Sequence, residues 1–332
     1  MSAAEKPQAE GLRADARWLK PRADLFRDAA IASIESRALA YLRAGVAVHF
    51  RGPAGAGKTT LAMQLAAALD RPTVTIAGDG WFTGANLVGE AVGERTKRVH
   101  DRFIHNVTKT ESATSKLWED RALTVAMEEG YTLVYDEFTR SPPEANNPLL
   151  AALEEGVLVL STPGRERRVI EAHPEFRAIF TSNPAEYAAV KAPQDALLDR
   201  MITFDLSYFD AETELGVVAA RSRLAPEHCR PIVMLVRALR AAAQADGVLM
   251  GRAAPPSMRT AILIARIAAD QGLRPNCADE RFVQLCFDAL ESRAPSDRDD
   301  VASVADARSK FFERLRAAIR EHCPAPPTEK AA

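Results

Sequence analysis

Apolar positions along the chain switch between two spacings, and the switches mark its elements. From Asp24 to Ala44 they recur at helical intervals (Phe26, Ile31, Ile34, Leu39, Leu42), and Gly45 ends the pattern. VAVHF, residues 46–50, is a short continuous apolar run, the mark of a strand covered on both faces. It runs into glycines, after which TLAMQLAAALD predicts a helix and PTVTIAG a second strand. Residues 81–116 are polar and charged, with GERTKRVHDRFIHNVTK at the centre, and predict an insertion or helix-loop segment. LWEDRALTVAMEEG predicts an amphipathic helix and TLVYDE a third strand. PPEANNPLLAALEEG predicts a helix opened by prolines and closed by Gly156. GVLVLSTPGRERRVIEA predicts a hairpin turning at Pro163 and Gly164, and RAIFTSNP and MITFDLS are the fourth and fifth core strands.

Short apolar strands alternating with helices predict an α/β fold whose mostly parallel, five-stranded sheet is flanked by helices. After Ser207 the strand pattern stops. Residues 211–292 carry helical patterns only, broken at Pro255 and Pro256, as a smaller all-helical domain would. The expected organisation is a disordered segment over 1–20, the α/β domain over 21–207 and a helical domain over 208–292. The rest, 293–332, is a C-terminal helix (SKFFERLRAAIREH) with a disordered tail.

Charge and composition narrow the partners. A formal net charge of −2 provides no global basic field for nucleic acid. No run approaches the roughly 18 apolar residues of a membrane span, and MSAAEKPQAEGLRADARWLK lacks the apolar core of a signal peptide. The four cysteines, Cys229, Cys277, Cys286 and Cys323, show no C-x-x-C spacing and read as reduced thiols of a cytoplasmic chain. None of the six histidines, His49 and His173 included, has metal-like partner spacing.

The chemistry begins at GPAGAGKT, Gly52 to Thr59, which fits G-x-x-x-x-G-K-[ST] between a strand and a helix. Gly52, Gly55 and Gly57 allow tight turns. The run Gly52, Pro53, Ala54, Gly55, Ala56, Gly57, Lys58, Thr59 and Thr60 brings backbone N–H groups and a helix N-terminus to phosphate oxygens. Lys58 is expected on the β- and γ-phosphates of ATP and Thr59 on Mg²⁺. With such a loop upstream, Asp136 is a candidate for holding Mg²⁺, and Glu137 for the attacking water as base or orienter. The alternative for the pair is a solvated strand end.

Further residues carry two readings each. Asn183 at the fourth strand's tip is a sensor of the γ-phosphate or lytic water, or a turn residue before Pro184. Arg200 is a finger completing a neighbouring subunit's site, or half of a surface pair with Asp199. Arg259 at a helix start folds back on the nucleotide, or is an ordinary surface arginine. Trp81 and Phe82 grip an apolar partner or pack under the insertion. RERR, residues 165–168, is a solvated tip or an anion site, and the helix of Phe311, Phe312 and Leu315 docks on its own domain or on a partner.

GPAGAGKT, LVYDE, FTSNP, LLDRM and PSMRT, in this order and spacing, resemble the AAA+ ATPases over roughly residues 30–290. The hairpin before Asn183 and the long segment between the second and third strands are similar to the MoxR branch. Within it, AYLRAGVAVHFRGPAGAGKTTLAMQLAAAL and DEFTRSPPEANN resemble the gas vesicle family. The resemblance implies a P-loop AAA+ core with a helical lid, an ATPase using ATP and Mg²⁺, and a homo-oligomeric, hexameric ring. Its implied partners are gas vesicle shell or accessory proteins, with no nucleic acid and no membrane. It also implies Walker A roles for Lys58 and Thr59 and Walker B roles for Asp136 and Glu137. Asn183 would be sensor 1, Arg200 the finger and Arg259 sensor 2. A MoxR-type chaperone that activates or metallates another enzyme, and a nucleotide-gated scaffold with little turnover, share these residues and stay open.

Overall fold

The computed structural model describes residues 12–22, 25–100, 110–160, 167–184, 195–245, 254–296 and 304–325. The expected disorder of residues 1–11 and of the tail from 326 lies outside them, as does the turn at Pro163 and Gly164. The chain divides into two compact units. The first holds residues up to Pro21, Ser33–Gly52 and Lys58–Leu206, and the second Arg22–Ala32, Pro53–Gly57 and the chain from Ser207.

In chain order, the elements up to Leu206 open with β1 (Arg17–Trp18) and α1 (Ala29–Arg43, its first turn counted in the second unit), then β2 (Ala47–Arg51), α2 (Lys58–Ala68) and β3 (Pro72–Ala77). They continue with α3 (Gly84–Val88), β4 (Gly89–His100), β5 (Thr110–Asp120), α4 (Ala122–Glu129) and β6 (Thr132–Asp136). Then come α5 (Asn147–Glu154), β7 (Val157–Leu160), β8 (Arg168–Glu171), β9 (Arg177–Ser182), α6 (Asp195–Leu198) and β10 (Met201–Asp205). The sheet order is β1-β3-β6-β9-β2-β10, and every neighbouring pair from β3 to β10 is parallel. These are the five expected core strands. Their middles, such as Leu133, Val134 and Tyr135, are fully buried, which is why they read as unbroken apolar runs. α1 starts at Ala29 rather than Asp24 because the Asp28 carboxylate accepts the Ile31 N–H at 2.7 Å and caps it there.

Three expectations are corrected. The segment expected to be disordered over 1–20 supplies β1, an antiparallel edge strand on β3. Arg13 anchors it through Asp120 (2.7 Å), Glu128 (3.1 Å) and Glu129 (3.0 Å), a charge cluster that no periodicity announces. The insertion expected as a helix-loop is a short helix, α3, followed by the antiparallel ribbon β4–β5, whose backbones pair from Gly89 with Asp120 to His100 with Thr110. Its sequence, GEAVGERTKRVH and TESATSKLWED, does not alternate apolar with polar residues, so no period of two announces the strands. That ribbon also claims Leu117–Asp120, so the helix expected from Leu117 begins at Ala122.

The second unit contains α7 (Ala211–Ser222), α8 (Pro226–Ala245), α9 (Met258–Asp270), α10 (Glu280–Leu290) and α11 (Val304–His322). Its core joins Leu235, Leu239, Ile264 and Phe282 to Phe311, Leu315 and Ile319 of α11. The C-terminal helix therefore belongs to the same core as the four before it, instead of following a domain that ends at 292. Inside this unit Arg240 pairs with Glu214 at 2.6 Å, both nearly fully buried, and stacks 3.9 Å from the Tyr208 ring. Among the described residues, no helix is long and apolar enough to cross a membrane.

Candidate nucleotide site

The phosphate loop leaves the tip of β2 and returns as the first turn of α2. Gly52 donates its N–H to the Ser182 carbonyl at 3.3 Å, and a Cβ there would lie 2.2 Å from the Leu206 carbonyl oxygen, so no side chain fits. Gly55 (φ +80°) and Gly57 (φ +84°) occupy the left-handed region. Lys58, Thr59 and Thr60 form the opening of α2, where N–H groups have no helical acceptor. Lys58 is buried and donates from Nζ to the Gly52 carbonyl at 2.8 Å.

Opposite stand the two acids. Asp136 ends β6, and its Oδ1 accepts the Thr59 hydroxyl at 2.8 Å and the Thr181 hydroxyl as well. Glu137 follows with a left-handed backbone, φ 51° and ψ 40°, uncommon for a residue with a side chain. Its N–H donates to Thr181 Oγ1 at 2.9 Å, and its carboxylate pairs with Arg140 at 2.7 Å across one tight helical turn. Gly78, just past β3, donates its N–H to the Asp136 carbonyl at 2.9 Å, and a Cβ on it would meet the Glu137 carbonyl oxygen at 2.3 Å. One hydroxyl and one carboxylate, Thr59 and Asp136, are the hard oxygen ligands that Mg²⁺ takes beside waters and phosphate, so these residues fit the metal.

Asn183 is nearly buried, one residue beyond β9, and β9 lies between β6 and β2 in the sheet. The strand order thus brings the tips carrying the phosphate loop, Asn183 and the acids side by side, at the carboxyl ends where open α/β sheets bind ligands. Beneath them His49 is fully buried between Ser182 Oγ (2.7 Å from Nε2) and Thr203 Oγ1 (3.0 Å from Nδ1). Burial, aided by Arg51, lowers its pKa to about 4. It is a satisfied core histidine that ties β9, β2 and β10 together just below the loop.

Residues 47–201 match the family described as AAA domain (dynein-related subfamily). The gas vesicle ATPase GvpN of Ancylobacter aquaticus is 47% identical over 305 residues, 92% of this chain and 83% of that protein. The gas vesicle ATPase GvpN1 of Halobacterium salinarum is 39% identical over 86% of this chain and 79% of its own length. This chain belongs to the GvpN family of gas vesicle ATPases. Among solved structures, a RuvB mutant of Thermotoga maritima aligns with a TM-score of 0.49 at 13% identity, covering 82% of this chain and 74% of that one.

Other residues expected to act in a GvpN-type site are less tightly gathered. Arg200 stands just before β10 and is held by Glu154 (3.0 Å from Nε) and the Ala196 carbonyl. Arg259 lies in the second unit, in the first turn of α9, its N–H on the capping Ser257 hydroxyl at 3.3 Å. Trp81 and Phe82 differ in their surroundings. Trp81 is 93% exposed, while Phe82 packs on Tyr135 with ring centroids 5.5 Å apart. Thr181, Gly78, Arg140 and His49 are the contributors that sequence reasoning passed over.

Proposed function

We propose that this ATPase spends ATP on a step in the formation of gas vesicles, acting on a shell or accessory protein from within a homo-oligomeric ring, hexameric as in many AAA+ proteins. The observation that carries the reading is the 2.8 Å bond between Thr59 at the head of α2 and Asp136 at the tip of β6. It joins the phosphate loop and the acid strand into one metal-binding pair.

In this reading the loop from Gly52 through Pro53, Ala54, Gly55, Ala56 and Gly57 to Thr60 wraps the phosphates, with Pro53 shaping it but offering no N–H and the Gly52 N–H held by Ser182. Lys58 leaves the Gly52 carbonyl to neutralise the β- and γ-oxygens. Thr59 and Asp136 hold Mg²⁺, which supplies charge neutralisation on those oxygens when bound. Glu137 takes the proton of the attacking water, and Asn183 orients that water against the γ-phosphate. Arg200 completes the site of the adjacent subunit, and Arg259 folds back on the nucleotide held by its own chain.

The test is genetic. In a gas-vesicle-forming host whose own copy is deleted, wild-type chain is expected to restore vesicle number and size, and the Glu137→Gln chain is not. Normal vesicles in the deletion host would reject the role. Rescue by Glu137→Gln equal to wild type would instead leave a nucleotide-gated scaffold with little turnover.

A further inference from the structure

Cysteines meet where the second unit closes. Cys277 lies between α9 and α10, Cys286 on α10, and Cys323 is the first residue after α11. Cys286 and Cys323 are fully buried, Cys277 is half-buried, and all are free thiols. The Cys277 N–H donates to the Cys323 carbonyl at 2.7 Å. That bond sets a ceiling on the distance between their Cα atoms. With N–Cα near 1.46 Å and Cα to carbonyl oxygen about 2.4 Å, the two Cα atoms lie no more than about 6.6 Å apart. Disulfides span Cα separations of about 4.4 to 6.8 Å, so the backbone already holds this pair within bridging distance.

The two thiols differ in access, which sets the order of events. Cys277 reaches solvent. Burial, and then the neighbouring Cys277, pushes the Cys323 thiol up to about 12, so it is slow to start an exchange but stands ready to finish one. α11 ends at His322, and the Cys323 N–H still bonds the Ile319 carbonyl at 2.8 Å. A bridge here would fasten the end of that helix, whose Phe311 and Leu315 complete the unit's core.

We propose that Cys277 and Cys323 are an oxidisable pair, a modification site at which a low-molecular-weight disulfide turns two thiols into a clasp on α11. The Cys277 thiolate attacks one sulfur of glutathione disulfide, breaks its S–S bond and releases one glutathione thiolate. Cys323 loses its proton to solvent, attacks the Cys277 sulfur and expels the second glutathione. Two cysteine thiols are thereby oxidised by two electrons, and glutathione disulfide is reduced to two thiols.

The experiment incubates the native full chain with glutathione disulfide, alkylates the remaining thiols and maps peptides without reduction. Expected are a 277–323 peptide pair, two of the four thiols lost together, and closure that speeds about tenfold per pH unit between pH 7 and 9 as the Cys323 thiolate fraction grows. Cys286→Ala keeps the bridge. Cys277→Ala, a small apolar change at a half-buried site on the edge of the core, leaves Cys323 as a thiol. A lasting glutathione adduct on Cys277 with Cys323 still reduced, a 286–323 bridge, or reaction only in denaturant would each overturn the assignment. The readout is mass alone, so its failure leaves the ATPase reading untouched.

Discussion

Thr181 bridges to Glu137 from the neighbouring strand: its hydroxyl oxygen accepts the Glu137 N–H at 2.9 Å while its proton goes to Asp136. A left-handed, non-glycine Glu137 carries backbone strain of about 1 to 3 kcal/mol, and this bond helps hold it. Thr181→Val keeps the shape and loses both bonds, one of them to a charge, worth roughly 1.5 to 3 kcal/mol. The expected result is kcat lowered about 10- to 100-fold with nucleotide affinity within about threefold, and Thr181→Ser near wild type. Steady-state ATPase assays with a fluorescent-nucleotide titration check it. Equal loss in the valine and serine variants would mean that the methyl group matters and the hydroxyl does not.

Lys58 and Glu137 separate binding from chemistry. Lys58→Ala removes the only side-chain cation of the phosphate loop and is expected to abolish measurable ATP binding. Glu137→Gln retains shape and neutralises the base, so ATP binds as in wild type while turnover falls by about 10²- to 10⁴-fold. Calorimetry and phosphate release distinguish the two, and wild-type turnover in Glu137→Gln would remove that carboxylate from the mechanism.

How much of this was legible beforehand follows from what each residue answers to. Leu133 and Phe180 answer to burial on both faces of a sheet, so their strands appear as apolar runs. The phosphate loop and the acids answer to local chemistry at fixed spacing. By contrast β1 is two residues long, too short for any period, and is held by Arg13 across more than a hundred residues of chain. The β4–β5 ribbon depends on backbone pairing that polar side chains do not advertise. Thr181 and His49 were hidden because their partners are fixed by which strands become neighbours. The β6-β9-β2-β10 order, which puts Asp136 beside Thr181 and His49 between Ser182 and Thr203, exists only after the chain has folded.

Arg200 is tied to Glu154 of its own chain, and the Glu154 carboxylate is more than half exposed. Only the Glu154 end of this pair is exposed: the Arg200 side chain is 24% exposed and also donates to the Ala196 carbonyl, so to reach a phosphate on an adjacent subunit the guanidinium has to give up both partners. If it acts in trans, Arg200→Ala and Lys58→Ala chains are each inactive alone but regain part of the ATPase when mixed, because some sites combine an intact loop with an intact finger. Activity that stays at the level of the separate variants at every mixing ratio would count against action in trans.

Trp81 and Phe82 are adjacent but should respond in opposite ways. Trp81 is almost fully exposed, and its backbone N–H bonds the Asp79 carboxylate at 2.7 Å, a bond that alanine retains, so Trp81→Ala is expected to change stability by less than about 0.5 kcal/mol. Basal ATPase should persist while vesicle formation falls, if the ring side chain touches a client. Phe82 packs on Tyr135, the residue before Asp136. Phe82→Ala should therefore lower stability by about 1 to 3 kcal/mol and depress ATPase as well. Urea unfolding, phosphate release and vesicle counts on the same pair of variants read all three effects.

His49 gives the fold a pH dependence whose sign is determined. Its folded pKa, about 4, lies below the ordinary value of 6.5, so the unfolded chain binds its proton more readily. The contribution is fully present above about pH 6.5 and is lost as pH falls toward 4. By pH 5 the deficit from this one group is about 2 kcal/mol. Replacing it with a non-titrating side chain of similar size, His49→Gln, lowers stability at pH 7 because the bonds to Ser182 and Thr203 are remade imperfectly. The same change should flatten the slope between pH 7 and 5, since a glutamine has no proton to gain. Urea midpoints of wild type and His49→Gln at the two pH values decide it: equal slopes in both chains would mean that the acid sensitivity resides in the carboxylates and not in this ring.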